Sequence, residues 1–299
     1  MKAWLNAARL RTLPLSISGI LVGTALAGAE NANNYLIFTL ALLTTVCFQV
    51  TSNFANDYGD GVKGTDNEDR IGPKRALQSG ILTQAELKKG IIISIIISLV
   101  FVVLTVLVAF GLENLPVILL FLGLGVASIW AAIKYTVGNS AYGYKGLGDV
   151  FVFLFFGLLA VLGSMFLYTE YITIQAVLPA ITIGFMSTGV LNLNNLRDHI
   201  SDKKAGKNTL VVLMGYNKGK IYHYTILITA VICMLFYVFT THFGWQSIVV
   251  TCTFIPTFIH LNRVRKTKNP VLLDPELKKL ALNTFLVAIV FYFCYNKFL

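Results

Sequence analysis

Charged side chains are scarce in this chain: they make up 13% of its 299 residues, about half the share found in soluble globular domains. So few cannot cover a water-facing surface, which argues against a soluble core-and-surface fold. Cysteine and histidine are scarce too. Cys47, Cys233, Cys252 and Cys294 all fall inside apolar runs, without metal-ligand spacing. That pattern argues against a zinc centre or a disulfide framework and leaves core packing as their role. His199, His223, His242 and His260 are scattered, and no H-E-x-x-H pattern or catalytic dyad is visible. Strict alternation of polar and apolar residues, the mark of a transmembrane β-barrel, is missing as well. There is no low-complexity segment and no soluble appendage, so residues 1–299 read as a single membrane domain.

Apolar runs are abundant. Hydrophobic residues make up 56% of the chain, and mean hydropathy is +0.72. Nine runs have the length needed to cross a bilayer core: 13–29, 35–52, 91–112, 115–133, 147–168, 172–193, 221–241, 245–261 and 280–298. Backbone amides in lipid must be satisfied within their own segment, so the expected fold is all-α, a polytopic bundle of nine transmembrane helices. With the N-terminus cytoplasmic, 23 of the 24 Lys and Arg residues fall on the inner side and only Lys297 falls outside. This positive-inside pattern accounts for the net charge of +10 and makes nucleic acid an unlikely partner for the basic excess. Lys2, Arg9 and Arg11 before an apolar run ending Ala25-Leu26-Ala27 resemble a secretory signal. The charge tally works with that run retained as the first helix. Outer loops are tiny and inner loops long, so chemistry is expected at the cytoplasmic face of the inner membrane.

The polar exits of two spans repeat one another. The second span ends in Asn53-x-x-x-Asp57 and continues to Asp60; the sixth ends in Asn194-x-x-x-Asp198 and continues to Asp202. If each helix runs on for a turn, the i and i+4 residues share a face, about 6 Å apart along the axis. The plain alternative is that Asp and Asn merely end a helix. Two carboxylates at that separation repel by roughly 3 kcal/mol at an effective dielectric of 20, so the duplicated pattern calls for cations. Oxygen ligands without nearby His or Cys suit a hard ion such as Mg²⁺, usually held by one or two carboxylates and substrate phosphates. Basic residues that would grip phosphate accompany each cluster: Arg70, Lys74 and Arg75 after the first, and Arg197, Lys203, Lys204 and Lys207 around the second. Phosphate chemistry at the membrane edge suggests a lipid diphosphate as substrate. A transporter with a carboxylate-lined ion site is the alternative class. Such sites lie near the bilayer midplane, whereas these carboxylates sit at the inner ends of spans.

The segments N-D-Y-G-D-G-V-K-G-T-D (56–66), R-A-L-Q-S-G (75–80) and N-L-R-D-H-I-S-D-K-K-A-G-K-N-T-L (195–210) resemble the signature loops of the UbiA superfamily of intramembrane aromatic prenyltransferases. That resemblance covers almost the whole chain. It implies a nine-helix bundle in which Asp57, Asp60, Asp198 and Asp202 carry Mg²⁺ and an isoprenyl diphosphate. It also implies that Asn53, Asn56 and Asn194 orient ligands, and that Arg75, Lys134 and Arg197 hold diphosphate. A third carboxylate of the common family form would fall on Gly64, with Asp66 the nearest replacement as a metal ligand. The stretches R-x-R-T-L-P-L-S (9–16) and Y-G-Y-K-G-L-G-D (142–149) are similar to the branch of the family that prenylates 1,4-dihydroxy-2-naphthoate. In that setting Lys145, like Lys134, would touch diphosphate or the acceptor carboxylate, and Asp149 would orient the acceptor or a Lys. Interfacial snorkelling and a helix N-cap are the plain alternatives for those two positions. The implied partners are a polyprenyl diphosphate, an aromatic acceptor and the lipid bilayer. Sister enzymes of the family use 4-hydroxybenzoate, homogentisate or a haem in its place.

Overall fold

The computed structural model describes residues 2–68, 71–241 and 244–296; Arg70, His242 and Lys297, which entered the readings above, lie outside them. Among the described residues, nine helices are long and apolar enough to cross a membrane, and there is no strand. They are α1 (Ala3–Ala29), α2 (Tyr35–Val62), α3 (Gln84–Phe110), α4 (Leu115–Lys134), α5 (Gly148–Thr169), α6 (Ile174–Lys204), α7 (Tyr216–Thr241), α8 (Trp245–Lys266) and α9 (Pro270–Tyr295). Their number and order match the expectation. Their lengths do not. On the side that carries the basic residues, α2 runs to Val62 rather than stopping near 52, and α6 runs to Lys204 rather than 193. The first turns of α1, α3, α7 and α9 likewise begin before the apolar runs do. Hydropathy ends a span at its first charged residue, whereas the i to i−4 backbone ladder has no reason to stop there. Ten further residues add about 15 Å of helix. The extra turns form a polar-lined collar on one face of the bundle.

The packing is inside-out relative to a soluble protein. On α3, Ile92, Ile93, Ile96, Ile97, Val100 and Val103 are exposed, while Gly90, Ser94, Ser98 and Thr105 are buried. Lipid tails are as apolar as Leu, so large side chains gain nothing by facing inward, and small residues let backbones approach. Hydroxyls then bond across the contact: Thr44 to Thr105 (2.9 Å) and Thr51 to Ser98 (3.3 Å) join α2 to α3. At the α5–α6 crossing a Cβ on Gly157 would run into the Gly184 backbone, so only glycine permits that approach. The main core joins α1, α6, α7 and α9 through Val22, Ile183, Met186, Leu227, Met234 and Phe291. A smaller cluster of Ala8, Phe54, Ala76, Leu82 and Leu87 seals the loop after α2 against α1 and α3.

Irregular backbone marks several helices. Arg9 adopts φ 49°, ψ 57°, and breaks α1 into a short first segment and the long span. In α5, residues Phe153–Gly163 are wound as a π-helix, a widened turn often found at functional sites. Here it lines a cavity, as described below.

Candidate functional site

The site begins with helix periodicity. Asn53, Asn56, Asp57 and Asp60 follow one another at i, i+3, i+4 and i+7 on α2, so they share a face. Asp57 and Asp60 are buried. The segment after α2 folds back to meet them. Gly64, at φ +70°, supplies the left-handed turn that ends the helix. Ala76 and Leu77 then donate their backbone N–H groups to Asp57 at 3.1 and 3.3 Å. Arg75 donates Nη1 to the Asn56 carbonyl (2.6 Å) and to Asp60 Oδ2 (2.7 Å), and lies 3.0 Å from Asp66 Oδ2. Desolvation works against the Arg75 charge, but Asp60, Asp66 and Asp57 outweigh it and raise its pKa.

A second loop, between α4 and α5, adds an aromatic donor. Tyr144 sits on a 3₁₀ turn (Tyr142–Tyr144) and donates to Asp60 Oδ1 at 2.7 Å, with Thr65 Oγ1 2.5 Å away. Desolvation, and then Asp60, push its phenol upward, so it remains a donor. Lys63 lies 3.9 Å above the Tyr144 ring, and desolvation lowers its pKa despite the pull of Asp60. Tyr142 donates to the Ala131 carbonyl (2.7 Å) and stacks on Phe151.

The second carboxylate cluster arrives on α6. Arg197 grips Asp198 through Nε to Oδ1 (2.7 Å) and Nη2 to Oδ2 (2.6 Å), bonds Asn194 Oδ1 (2.8 Å), and pairs with Asp274 on α9. Asp202 is buried, and among the described residues its Oδ2 accepts no hydrogen bond. The following loop closes the gap between the clusters. Asn208 donates its N–H to the Tyr144 carbonyl (3.2 Å), and Lys207 places Nζ 4.0 Å from Asp60 Oδ2 and 4.0 Å from Asp202 Oδ1. Those two oxygens are therefore no more than about 8 Å apart. The two Asp motifs, well separated in sequence, converge around one lysine.

An apolar cavity of about 350 Å³ approaches this cluster at Asn56, whose carbonyl accepts from Arg75. Its polar end carries Asn56, Gln49 and Tyr135, and its deep end Ile20, Ala41, Val106 and Leu167. Asn56 and Ala41 are fifteen residues apart on one helix, about 22 Å along its axis. The π-helical turn contributes Phe155, Phe156, Leu159 and Ala160 to the wall. An adjoining apolar cleft lined by Leu120, Leu124, Leu154 and Leu158 runs between α4 and α5. On the other side of Asp57 lies a basic cleft lined by Arg9, Arg11, Lys74 and Arg75.

The other residues named from the sequence make the following contacts. Asn53 donates to the Ala8 carbonyl (2.8 Å) and Thr12 (3.2 Å) and accepts from Gln49 (3.1 Å), which anchors the break in α1. Asn56 accepts from Thr136 at 3.2 Å and borders the cavity. Among the described residues neither Lys134 nor Lys145 forms an ion pair with the carboxylates; the turn that sends Tyr144 inward leaves Lys145 exposed. Asp149 is not an N-cap, since Leu147 holds that position. It is buried in the first turn of α5, with Tyr222 alongside, and among the described residues its Oδ1 accepts no hydrogen bond. Sequence reasoning counted Lys207 only among the basic residues around the second cluster, and did not single out Tyr144 or Tyr135 as site residues. Tyr135 borders the cavity, and desolvation and then the charges of Asp60, Asp149 and Asp202 push its hydroxyl upward. The signal for Lys207 was its position five residues after Asp202, where the chain must turn back across the collar.

Among the described residues no three His, Cys, Asp or Glu side chains form a preformed metal cage. The donor set is oxygen only, paired on two helices, and includes an orphaned carboxylate oxygen on Asp202. That fits an ion held by one or two carboxylates together with substrate phosphate, the usual mode for Mg²⁺.

The profile of the UbiA prenyltransferase family matches residues 16–273. The 1,4-dihydroxy-2-naphthoate octaprenyltransferases of Haemophilus influenzae and Escherichia coli are each 42% identical to this chain, over 97% of its length and 94% of theirs. Among solved structures, a UbiA homolog from Archaeoglobus fulgidus bound to DMAPP and Mg²⁺ superimposes with a TM-score of 0.67, over 99% of each chain at 17% identity.

Proposed function

The chain belongs to the UbiA prenyltransferase family, and from that membership and the site just described we propose that it transfers a polyprenyl group to 1,4-dihydroxy-2-naphthoate. The donor is an allylic polyprenyl diphosphate, and the products are the quinol form of demethylmenaquinone, CO₂ and diphosphate, a step of menaquinone synthesis. The observation that carries this reading is the convergence of Asp60 and Asp202 on Lys207, together with an apolar cavity that reaches Asn56 and Tyr135. The near full-length identity to enzymes of that specificity supports the choice of acceptor.

Asp57 and Asp60 on α2, with Asp198 and Asp202 on α6, would hold Mg²⁺. When bound, the metal supplies charge neutralisation for the departing diphosphate. Lys207 and Arg75 add fixed positive charge beside the same carboxylates, and Arg197 holds Asp198 in one orientation. The prenyl tail lies in the cavity beyond Asn56, where apolar walls exclude water from the allylic cation. Tyr135, Tyr142 and Phe151 present aromatic rings at its mouth, and such faces stabilise a nearby cation. The electron-rich acceptor ring attacks C1 of the cation, and loss of its carboxyl group restores aromaticity. The lysine- and arginine-rich collar supports a cytoplasmic orientation for this chemistry at the inner membrane.

The test is turnover by purified protein supplied with farnesyl diphosphate, Mg²⁺ and one aromatic at a time. The reading predicts product with 1,4-dihydroxy-2-naphthoate and none after chelation by EDTA. Turnover with 4-hydroxybenzoate alone would replace the acceptor, and metal-independent turnover would overturn the mechanism.

A further inference from the structure

A chain of buried polar side chains crosses α6 to α9, away from the reacting atoms. Asn192 Oδ1 lies 3.1 Å from His223 Nδ1, His223 Nε2 lies 3.0 Å from His260 Nε2, and His260 Nδ1 lies 2.8 Å from Glu276 Oε2. Glu276 Oε1 accepts from Arg263 (3.2 Å) and Lys279 (2.5 Å) at the inner surface. Each of four helices contributes one member, and all four members are buried. The two histidines, scattered in sequence, thus form a pair.

The bond directions are informative. As placed, Asn192 turns its oxygen to His223, and its Nδ2 has no acceptor among the described residues. Half a turn of the amide brings Nδ2 to His223 Nδ1. Every bond then runs the same way: the amide N–H to His223 Nδ1, His223 Nε2–H to His260 Nε2, and His260 Nδ1–H to the Glu276 carboxylate. Two neutral imidazoles and one ionised carboxylate satisfy the whole chain. The carboxylate end fixes both tautomers, since each ring nitrogen's role is set by the bond its partner makes.

The chain also closes into a ring. Two residues before Glu276, Asp274 pairs with Arg197 of α6, and Arg197 grips Asp198 and Asn194. Apolar neighbours such as Leu193, Leu227 and Leu280 are non-directional and tolerate rotation of one helix on another. The polar ring does not.

We propose that Asn192, His223, His260 and Glu276 are positioning residues for prenyl transfer: they fix the rotation of α6 against α7–α9 and, through Asp274 and Arg197, aim Asp198 at the diphosphate site. The inference rests on the function proposed above, and its readout is independent of the acceptor. Mg²⁺ binding is measured by calorimetry on the purified full chain with farnesyl diphosphate present and no aromatic. His223→Ala, His260→Ala and Glu276→Gln are compared with Met234→Ala, a core truncation on α7. Partners that orient metal ligands typically contribute roughly tenfold or more to affinity. The three relay variants should therefore weaken Mg²⁺ binding about tenfold. Met234→Ala should lower the melting temperature and leave binding unchanged. His260→Asn, which can still donate and accept, should recover part of the His260→Ala loss. Relay variants that bind Mg²⁺ like wild type, or a Met234→Ala variant that loses as much, would overturn the proposal. Wild-type protein that binds Mg²⁺ and farnesyl diphosphate but prenylates no naphthoate would overturn only the acceptor assignment. Wild-type protein that binds neither would overturn both readings.

Discussion

Replacing Lys207 with Met removes one positive charge from between two carboxylates, and its consequences have opposite signs for metal and for substrate. Lys207 Nζ lies 4.0 Å from both Asp60 and Asp202 and is nearly excluded from solvent. At an effective dielectric of 20, each attraction is about 4 kcal/mol. Without the lysine the two acids are left facing each other across no more than about 8 Å, so a divalent ion becomes the remaining source of positive charge between them. The substrate-free K207M protein should accordingly gain more thermal stability from added Mg²⁺ than wild type does. Prenyl diphosphate, in contrast, loses a cationic partner. A hydrogen bond to a charged group contributes about 1.5–3 kcal/mol, which corresponds to roughly 10–100-fold in kcat/KM for farnesyl diphosphate. Melting curves with and without Mg²⁺, paired with initial rates at varied farnesyl diphosphate, measure both effects. An unchanged kcat/KM, or a smaller Mg²⁺-induced rise in Tm than in wild type, would refute the bridging role of Lys207.

Three other outcomes follow from the same geometry. Arg75→Ala should destabilise the folded protein by roughly 3–5 kcal/mol, because it removes the nearer charge partner of buried Asp60; a denaturant series that finds less than 1 kcal/mol would contradict the buried pair. Tyr144→Phe removes a single donor to Asp60 and should lower kcat/KM by about fivefold, in line with ~1 kcal/mol per hydrogen bond, with no loss of folded protein by circular dichroism. Ala41→Phe fills the deep end of the cavity. It should raise KM for a long polyprenyl diphosphate while sparing farnesyl diphosphate, and equal effects on both would place the tail elsewhere.

The bundle was legible because lipid imposes simple rules: an apolar run of sufficient length must be a helix, and basic residues sort to one side. The Asp motifs were legible because duplication made a common turn pattern unusual. Helix ends were not, since hydropathy stops at Asn53 and Asn194 while the backbone ladder of α2 and α6 continues to Val62 and Lys204. The partners of the carboxylates were legible only in part. Arg75 stood out by its nearness in sequence. Tyr144 and Lys207 reach Asp60 across sequence separations of 84 and 147 residues, and only tertiary folding brings them there. Lys134 and Lys145 carry the same charge on the same side, yet among the described residues neither pairs with the carboxylates, a difference that sequence position alone does not reveal. His223 and His260 were passed over for a related reason: their pairing needs α7 and α8 laid side by side.

The most direct measurement of the central claim is a double-mutant cycle on kcat/KM for prenyl transfer, using Asp60→Asn, Asp202→Asn and the double variant. If both carboxylates serve one metal–diphosphate site, each single change lowers kcat/KM by about a hundredfold or more, and the double variant falls scarcely further than the worse single. Losses that simply multiply would mean that α2 and α6 act on separate sites, and the account would fail.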